Sequence, residues 1–254
     1  MSHVLTAQAG SVLEVTFNRP EKKNALTATM YAAMVDAFHR ADADPGIRVV
    51  LIGGAGDSFT SGNDITDFQA RSAAEAASPA ASFLDALSSL ATPLVAAVNG
   101  AAIGVGTTML AHADLVIAAR SARFVMPFTS LGLVPEAASS LLFPALIGHQ
   151  RASALLLLGE PIDAETAHRW GLVNQVVADA ELMATARGIA ARLAALPAAA
   201  VRQTKDLMKN GRPDVAGRIE QEMRLFRDRL RSPEAAEAFQ AFVEKRKPDF
   251  SGFS

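Results

Sequence analysis

The chain has 254 residues, of which half are hydrophobic and a fifth are charged, and this composition is typical of a globular protein. Its length suits one large domain or one domain with a helical appendage. The 24 basic and 26 acidic residues give a formal net charge of -2, which argues against a nucleic-acid partner. Because cysteine is absent, disulfides, thiolate nucleophiles and cysteine-bound metals are excluded.

The sequence shows no targeting or membrane signal. The N-terminal residues lack a basic region followed by a long apolar run, so a secretory signal is not expected. No apolar run is long enough to cross a bilayer, and the last three residues are not a peroxisomal address. We therefore expect a cytoplasmic protein without a membrane partner.

The hydrophobic pattern alternates between strand and helix along the first half of the chain. Apolar residues at helical spacing predict a helix over residues 28–40. Alternating or continuous apolar runs predict strands at residues 4–7, 12–17, 49–52, 93–98 and 115–119. Helices between strands indicate an α/β core with parallel strands.

The later segments give weaker predictions. Residues 71–81 are small and poorly periodic, which is equally typical of a mobile segment beside a site and of a plain surface connector. From about residue 144 onward the pattern is helical, and Pro213 and Pro233 stand where first helical turns would begin. We interpret Arg218, Glu222 and the bases of 224–231 as a solvated face. Apolar stripes at 225–230 and 238–243 cover either their own core or a neighbouring subunit.

Two glycine-rich turns follow predicted strands. The first includes residues 61–64 (SGND) and precedes a predicted short helix near Asp64; the second spans residues 103–107 (IGVGT). Free N–H groups at such turns are natural anion donors, although glycine-rich turns are often only structural. Neither segment has the spacing of a dinucleotide or phosphate-binding loop. The pair therefore indicates an uncharged acceptor, such as a carbonyl that becomes an enolate.

Glu136 is the lone acid in the apolar stretch 124–136. One carboxylate beside an oxyanion hole can move a proton, whereas adding water usually needs two acid/base groups. The alternative interpretation of Glu136 is an acid in the first turn of a helix, and the two roles are compatible. Asp64 is either a second acid/base or, as we favour, an N-cap. We expect a structural bond from Asp114 and no metal site at the histidines.

Together these segments resemble the crotonase superfamily, the enoyl-CoA hydratase/isomerase group. The resemblance covers nearly the whole chain. It rests on residues 18–26 (NRPEKKNAL), 61–65 (SGNDI), 98–106 (VNGAAIGVG), 159–164 (GEPIDA) and 171–174 (GLVN). Each motif alone is weak, but the ordered set is specific.

The resemblance implies an α/β fold, a spiral of ββα units (residues 1–195) with a C-terminal helical region (196–254) for trimerisation and for covering the CoA site. It implies a homotrimer or dimer of trimers acting on an acyl-CoA thioester, with coenzyme A as part of the substrate and no other cofactor. The backbone N–H groups of Asn63 and Val105 would form the oxyanion hole. The implied CoA and substrate contacts are Lys22, Lys23, Ala25, Ser61, Gly62, Asp64, Ile65, Gly104, Phe128 and Leu133.

The departures from the family pattern favour one branch. Thr108 and Phe128 stand where a typical hydratase has its two glutamates, and Glu136 instead follows Pro135. This arrangement resembles the Δ3,Δ2-enoyl-CoA isomerase branch, with Glu136 moving a proton from C2 to C4. The rival hypotheses are a ring-type epoxide or oxepin isomerase, a hydratase, and a non-catalytic acyl-CoA-binding protein.

Overall fold

The computed structural model describes residues 2–64, 78–210 and 214–253. Ten strands occur in these ranges, numbered in chain order: β1 Val4–Ala9, β2 Val12–Phe17, β3 Val49–Gly54, β4 Ser58–Thr60, β5 Leu94–Val98, β6 Ala101–Ile103, β7 Leu115–Ala119, β8 Arg123–Val125, β9 Ile162–Asp163 and β10 Gln175–Val177. They form a six-stranded sheet in the order β1-β2-β3-β5-β7-β10 and a four-stranded sheet in the order β4-β6-β8-β9.

The described helices are likewise numbered in chain order: α1 Ala28–Ala43, α2 Pro79–Ser89, α3 Val105–Thr108, α4 Ser139–Ile147, α5 His149–Ser153, α6 Ala164–Trp170, α7 Leu182–Ala194, α8 Ala198–Asn210, α9 Val215–Leu230 and α10 Pro233–Val243. Several begin at an N-cap hydroxyl, which satisfies a free N–H group of the first turn. Thr27 caps α1, and Ser232 caps α10. Pro233 lies in the first turn of α10, as the sequence predicts.

The chain passes repeatedly from the large sheet to the small one. Strands β3, β5 and β7 of the large sheet are each followed by a short strand, β4, β6 or β8, of the small sheet. All pairings among β2, β3, β5, β7 and β10 are parallel, and β1 joins β2 antiparallel. The predicted spiral of ββα units in an α/β fold is therefore confirmed.

Both faces of the large sheet are buried along its central strands β3, β5 and β7. Alternate side chains of a strand point to opposite faces, so these strands contribute to a core on each side. Val50 and Ile52 of β3 belong to the larger core with α1 and α2. Val49 and Leu51 face the other way and pack against α7, whose Leu182 belongs to the same cluster. Packing on both sides thus holds the strands in place, and with them the positions at which the strands end.

Some predictions fall partly outside the described residues. Residues 65–77 lie outside the described ranges, and they include the short helix expected near Asp64 and most of the segment 71–81. Pro213 also lies outside the described ranges. The last part of that segment is helical, since α2 begins at Pro79 behind the cap of Ser78. Within the described ranges, no helix has both the length and the apolar character needed to cross a bilayer.

Helix α8 is tied to the strand core by a buried ion pair. The Lys205 ammonium, 3% exposed, donates to Asp114 Oδ2 at 2.7 Å and to the Thr92 carbonyl at 2.9 Å. Asp114 Oδ2 also accepts from the N–H of Leu94 at 2.7 Å, which confirms its structural role. The predicted boundary between residues 195 and 196 falls between α7 and α8.

Asp114→Asn should lower the free energy of unfolding by about 3 kcal/mol, because removing one partner leaves a buried charge without compensation. Burial lowers the pKa of Lys205, and the Asp114 charge opposes that change. Urea unfolding would measure the loss. The double variant Asp114→Asn, Lys205→Met removes both charges and should recover most of the stability. A loss below about 1 kcal/mol in the single variant would contradict this role.

Candidate active site

The two glycine turns lie side by side at the ends of β4 and β6, which pair in parallel. Gly62 has a φ of +88°, and a Cβ atom there would lie 2.9 Å from the carbonyl oxygen of Ile103. A Cβ at Gly106 would lie 2.6 Å from Cγ2 of Thr60. Because neither position has room for a side chain, glycine allows the two backbone segments to approach each other closely.

Each turn leaves a backbone N–H group available. The N–H of Leu26 donates to the Gly62 carbonyl and that of Asp64 donates to the Leu26 carbonyl, so the N–H of Asn63 between them has no backbone acceptor in the described ranges. Val105 is the first residue of α3, where an N–H has no intrahelical acceptor. These are the two donors that the sequence predicts for an oxyanion hole.

Tyr31 is bonded to the first turn and lies within electrostatic range of the candidate base, and sequence reasoning missed it. Its hydroxyl donates to Asn63 Oδ1 at 2.6 Å, which fixes the Asn63 side chain. Burial raises the pKa of Tyr31 well above its usual value, and the charge of Glu136 adds to the rise. The phenol is therefore a neutral donor close to Glu136. It is the only tyrosine in the sequence and lies on the buried face of α1.

Glu136 is buried, with 3% of its surface exposed. Its Oε1 atom has no hydrogen-bond partner among the described residues. Burial, followed by the charge of Glu222, raises the pKa of Glu136 to about 8. The carboxyl group can therefore exist in both protonation states near neutral pH, as a group that accepts and returns a proton requires.

The backbone after Glu136 is unusual. Ala137 and Ala138 both have left-handed conformations, with φ of 61° and 53°. Helix α4 begins only at Ser139, whose N–H donates to the Glu136 carbonyl at 3.0 Å. The alternative interpretation of Glu136 as an acid in the first turn of a helix is therefore wrong.

The predicted solvated face of α9 is wrong at Glu222, which is 4% exposed. Its Oε1 accepts from the N–H of Ser140 at 3.0 Å and from the Ser140 hydroxyl at 2.5 Å. Arg218, one turn earlier on α9, donates to the same hydroxyl at 3.2 Å. A second buried carboxylate thus acts on the segment that carries Glu136.

Three of the residues expected to contact CoA, namely Lys22, Lys23 and Ala25, adjoin the first turn. The N–H of Ser61 donates to the carbonyl of Lys23 at 2.9 Å, so the exposed Lys22 and Lys23 lie beside this turn together with Ala25. Lys23 also pairs with Asp57 at 2.7 Å.

Two further residues predicted at this turn, Asp64 and Ile65, lie at the edge of the described ranges. The carboxylate of Asp64 lies 2.6 Å from Arg19 Nη1, and the helix that it would cap lies outside the described ranges. Ile65 lies outside them as well.

The two hydratase positions carry no carboxylate. Thr108 is fully buried, with its hydroxyl 3.5 Å from the Val105 carbonyl. Phe128 is buried against Phe226 of α9, with 6.4 Å between the ring centroids. Leu133, also buried, donates its N–H to the Phe128 carbonyl at 2.8 Å. Phe128 and Leu133 are therefore two buried apolar residues that precede Glu136 in the sequence.

The other polar groups of the described ranges show no second candidate centre. His112 donates from Nε2 to the Ala137 carbonyl at 2.8 Å, a contact that supports the turn after Glu136. Among the described residues, no cluster of three or more histidine, aspartate and glutamate side chains could hold a metal. A cavity of about 420 Å³ lies near Lys205 and Leu196, and no predicted site residue lines it.

Comparison of the chain with known proteins identifies its family. The family model described as enoyl-CoA hydratase/isomerase matches residues 7–252. The chain is 35% identical to 1,2-epoxyphenylacetyl-CoA isomerase of Escherichia coli (strain K12), over 99% of each chain. It is 36% identical to enoyl-CoA delta isomerase 2 of Rattus norvegicus, over 96% of this chain and 64% of that protein.

A similar solved structure supports the same family assignment. The enoyl-CoA hydratase/isomerase from Pseudoalteromonas atlantica T6c superposes with a TM-score of 0.94 at 44% identity, covering 98% of this chain and 100% of that one. The chain therefore belongs to the enoyl-CoA hydratase/isomerase family, the crotonase superfamily, whose members act on acyl-CoA thioesters. It is an enzyme of that family.

Proposed function

We propose that the protein is an enoyl-CoA isomerase that moves the double bond of a 3-enoyl-CoA to give the 2-trans-enoyl-CoA. The observation that supports this most strongly is the buried carboxyl of Glu136, whose pKa is raised to about 8, in a chain whose paired glycine turns leave two N–H donors available. Thr108 and Phe128, at the hydratase positions, offer no second carboxylate there.

The proposed reaction needs no group other than these. The Glu136 carboxylate takes a proton from C2, and the electron pair spreads over the thioester oxygen, C2 and C4. The N–H groups of Asn63 and Val105 stabilise the negative oxygen. Glu136 then gives the same proton to C4 while the C2–C3 double bond forms and the C3–C4 double bond is lost. Protons and electrons balance without water.

Oxyanion donors of this kind contribute substantially, since the loss of one typically raises the barrier by about 2.7–4 kcal/mol. The buried base adds to this effect, because proton transfer is most efficient when the pKa of the base is near the working pH. Tyr31, bonded to the Asn63 side chain, supports the proposed oxyanion turn while its pKa keeps it neutral.

A second candidate is isomerisation of a ring-type acyl-CoA such as an epoxide. It is favoured by the 35% identity, over 99% of both chains, with 1,2-epoxyphenylacetyl-CoA isomerase. Both reactions would use the oxyanion turns, but they differ in whether a C–H or a C–O bond breaks first. Substrate comparison separates them more directly than mutation does.

The test is a parallel assay of 3-hexenoyl-CoA isomerisation, crotonyl-CoA hydration and conversion of 1,2-epoxyphenylacetyl-CoA. Dominant isomerisation of the 3-enoyl substrate, with exchange of its α-protons in D₂O, is the expected result. Dominant epoxide conversion would replace the first candidate with the second. Dominant hydration would contradict both, and CoA-ester binding without turnover or α-proton exchange would indicate a binding protein.

We further propose a homotrimer or a dimer of trimers, in which the C-terminal region 196–254 covers the CoA site. Exposed apolar side chains on this region support the proposal, since Leu207, Phe242 and Val243 are 74%, 61% and 67% exposed in the single chain. Light scattering should give the mass of three or six chains. The mass of one chain would contradict it.

A further inference from the structure

Glu222 is a buried carboxylate that the proposed proton transfer does not use. It comes from α9 in the C-terminal region and reaches the first turn of α4, where Oε1 accepts two bonds from Ser140. Its Oε2 has no hydrogen-bond partner among the described residues. A buried carboxylate with one unsatisfied oxygen is costly, so its presence needs a reason beyond stability.

The segment that Glu222 holds is strained. Ala137 and Ala138 are both left-handed, a conformation that costs an L-residue roughly 1–2 kcal/mol at each position. Ala138 occupies the N-cap position of α4 and supplies no side-chain cap. Glu222 provides that cap from another helix, because Ser140 lies in the first turn of α4 and an anion there is favourable. Such a turn persists only where its surroundings fix it.

Three further contacts fix the same turn. His112 donates to the Ala137 carbonyl at 2.8 Å. The Ser139 hydroxyl donates to the Glu136 carbonyl at 2.5 Å. Arg218 donates to the Ser140 hydroxyl at 3.2 Å, beside the Glu222 carboxylate. Of these groups, Glu222 is the one that brings a negative charge close to Glu136.

The charged and titratable groups around the pair have distinct effects. Glu222 raises the pKa of Glu136, after burial, which is the larger cause. Burial also raises the pKa of Glu222 itself. The hydrogen bonds from Ser140 and the charge of Arg218 oppose that rise. Tyr31 faces Glu136 from α1 and stays neutral. Negative charge on Glu222 therefore makes Glu136 a stronger base.

We propose that Glu222 is a positioning residue for Glu136: through its two bonds to Ser140 it holds the left-handed turn 137–138 against α4, and it brings a like charge to the segment that carries Glu136. The proposal rests on the proposed function for the role of Glu136 as a base. It assigns to the C-terminal region a part in the chemistry, in addition to its expected role in assembly.

The test compares Glu222→Gln, which keeps an acceptor for Ser140 but removes the charge, with Glu222→Ala, which removes both. Glu220→Gln, an exposed substitution on the same helix, is the matched control. In Glu222→Gln the acid limb of kcat/KM should move to lower pH by about one unit, with a plateau within a few-fold of wild type. In Glu222→Ala we expect kcat to fall at least about tenfold with little change in KM.

A direct titration keeps the test independent of activity. Infrared difference spectra between each protein and its Glu136→Gln counterpart report the protonated carboxyl of Glu136. The midpoint of the Glu136 titration should lie at lower pH in Glu222→Gln than in wild type. An unchanged midpoint would overturn the proposal even if the enzyme isomerises 3-hexenoyl-CoA. A lowered midpoint in a protein that fails every isomerase assay would support the coupling and reject the proposed function instead.

If Glu222→Ala does not fold, Ser140→Ala tests the anchor more gently, because it removes only the hydroxyl bond to Glu222. A several-fold loss of kcat, with melting temperature and CoA-ester binding close to wild type, is the expected result. Wild-type kcat in Ser140→Ala together with an unshifted acid limb in Glu222→Gln would overturn the proposal.

Discussion

Glu136→Gln should reduce isomerisation of a 3-enoyl-CoA by about 10²–10⁴-fold, the usual contribution of a general acid–base group. The amide has nearly the shape of the carboxyl but cannot take a proton from C2 or return one to C4. Because Glu136 is buried and has one oxygen without a partner among the described residues, the neutral amide should be tolerated. CoA-ester binding should therefore survive.

The pH profile supplies the second readout for Glu136. A base acts in its deprotonated form, so wild-type kcat/KM should rise with pH and level off above about 8, the raised pKa of this carboxyl. The residual activity of Glu136→Gln should lack this limb. Glu165→Gln, on the exposed surface of α6, is the control and should behave as wild type. Full activity in Glu136→Gln would reject the assignment of the base.

Gly62→Ala should lower kcat by about 10²–10³-fold, the loss typical of a disturbed oxyanion donor. The added Cβ would lie 2.9 Å from the Ile103 carbonyl, which belongs to the second turn. The two backbones would have to separate, and this would move the N–H of Asn63 relative to that of Val105. We expect a larger effect on kcat than on KM, because the oxyanion forms after the substrate binds.

The matched control for Gly62→Ala is Gly171→Ala. Gly171 has a φ of +90°, against +88° at Gly62, but a Cβ there would meet nothing within 4 Å. Both variants therefore bear similar backbone strain, roughly 1–2 kcal/mol, and only Gly62→Ala disturbs the paired turns. Equal activity of the two variants would show that the close approach of the turns is not needed for catalysis.

The strands were predictable because their signal is local. The apolar run at residues 12–17 coincides with β2, and that at 115–119 coincides with β7. The helix predicted over residues 28–40 extends to Ala43. In each case the spacing of apolar side chains alone determines which face is buried. The site turns were predictable for a similar reason, since their glycines lie directly after strands.

The surroundings of Glu136 were not predictable in the same way. Arg218 and Glu222 precede a series of basic residues at 224–231, and such a charged stretch favours a solvated helix face. Only the packing of α9 against the start of α4, 82 positions earlier in the chain, buries Glu222. Positions 137 and 138 are alanines, whereas a left-handed residue is usually signalled in a sequence by glycine or asparagine. Tertiary contacts impose that conformation.

The contact between Glu222 and Ser140 also sets an order of events during synthesis. The strands β1 to β10 and the glycine turns all precede residue 178, so they can form before α9 leaves the ribosome. The segment that carries Glu136 gains this buried anchor only when residue 222 has emerged and α9 has docked. A nascent chain would thus have the scaffold of the site before its carboxyl is fixed, and a hybrid that exchanges C-terminal helices with a relative would have to preserve this pair.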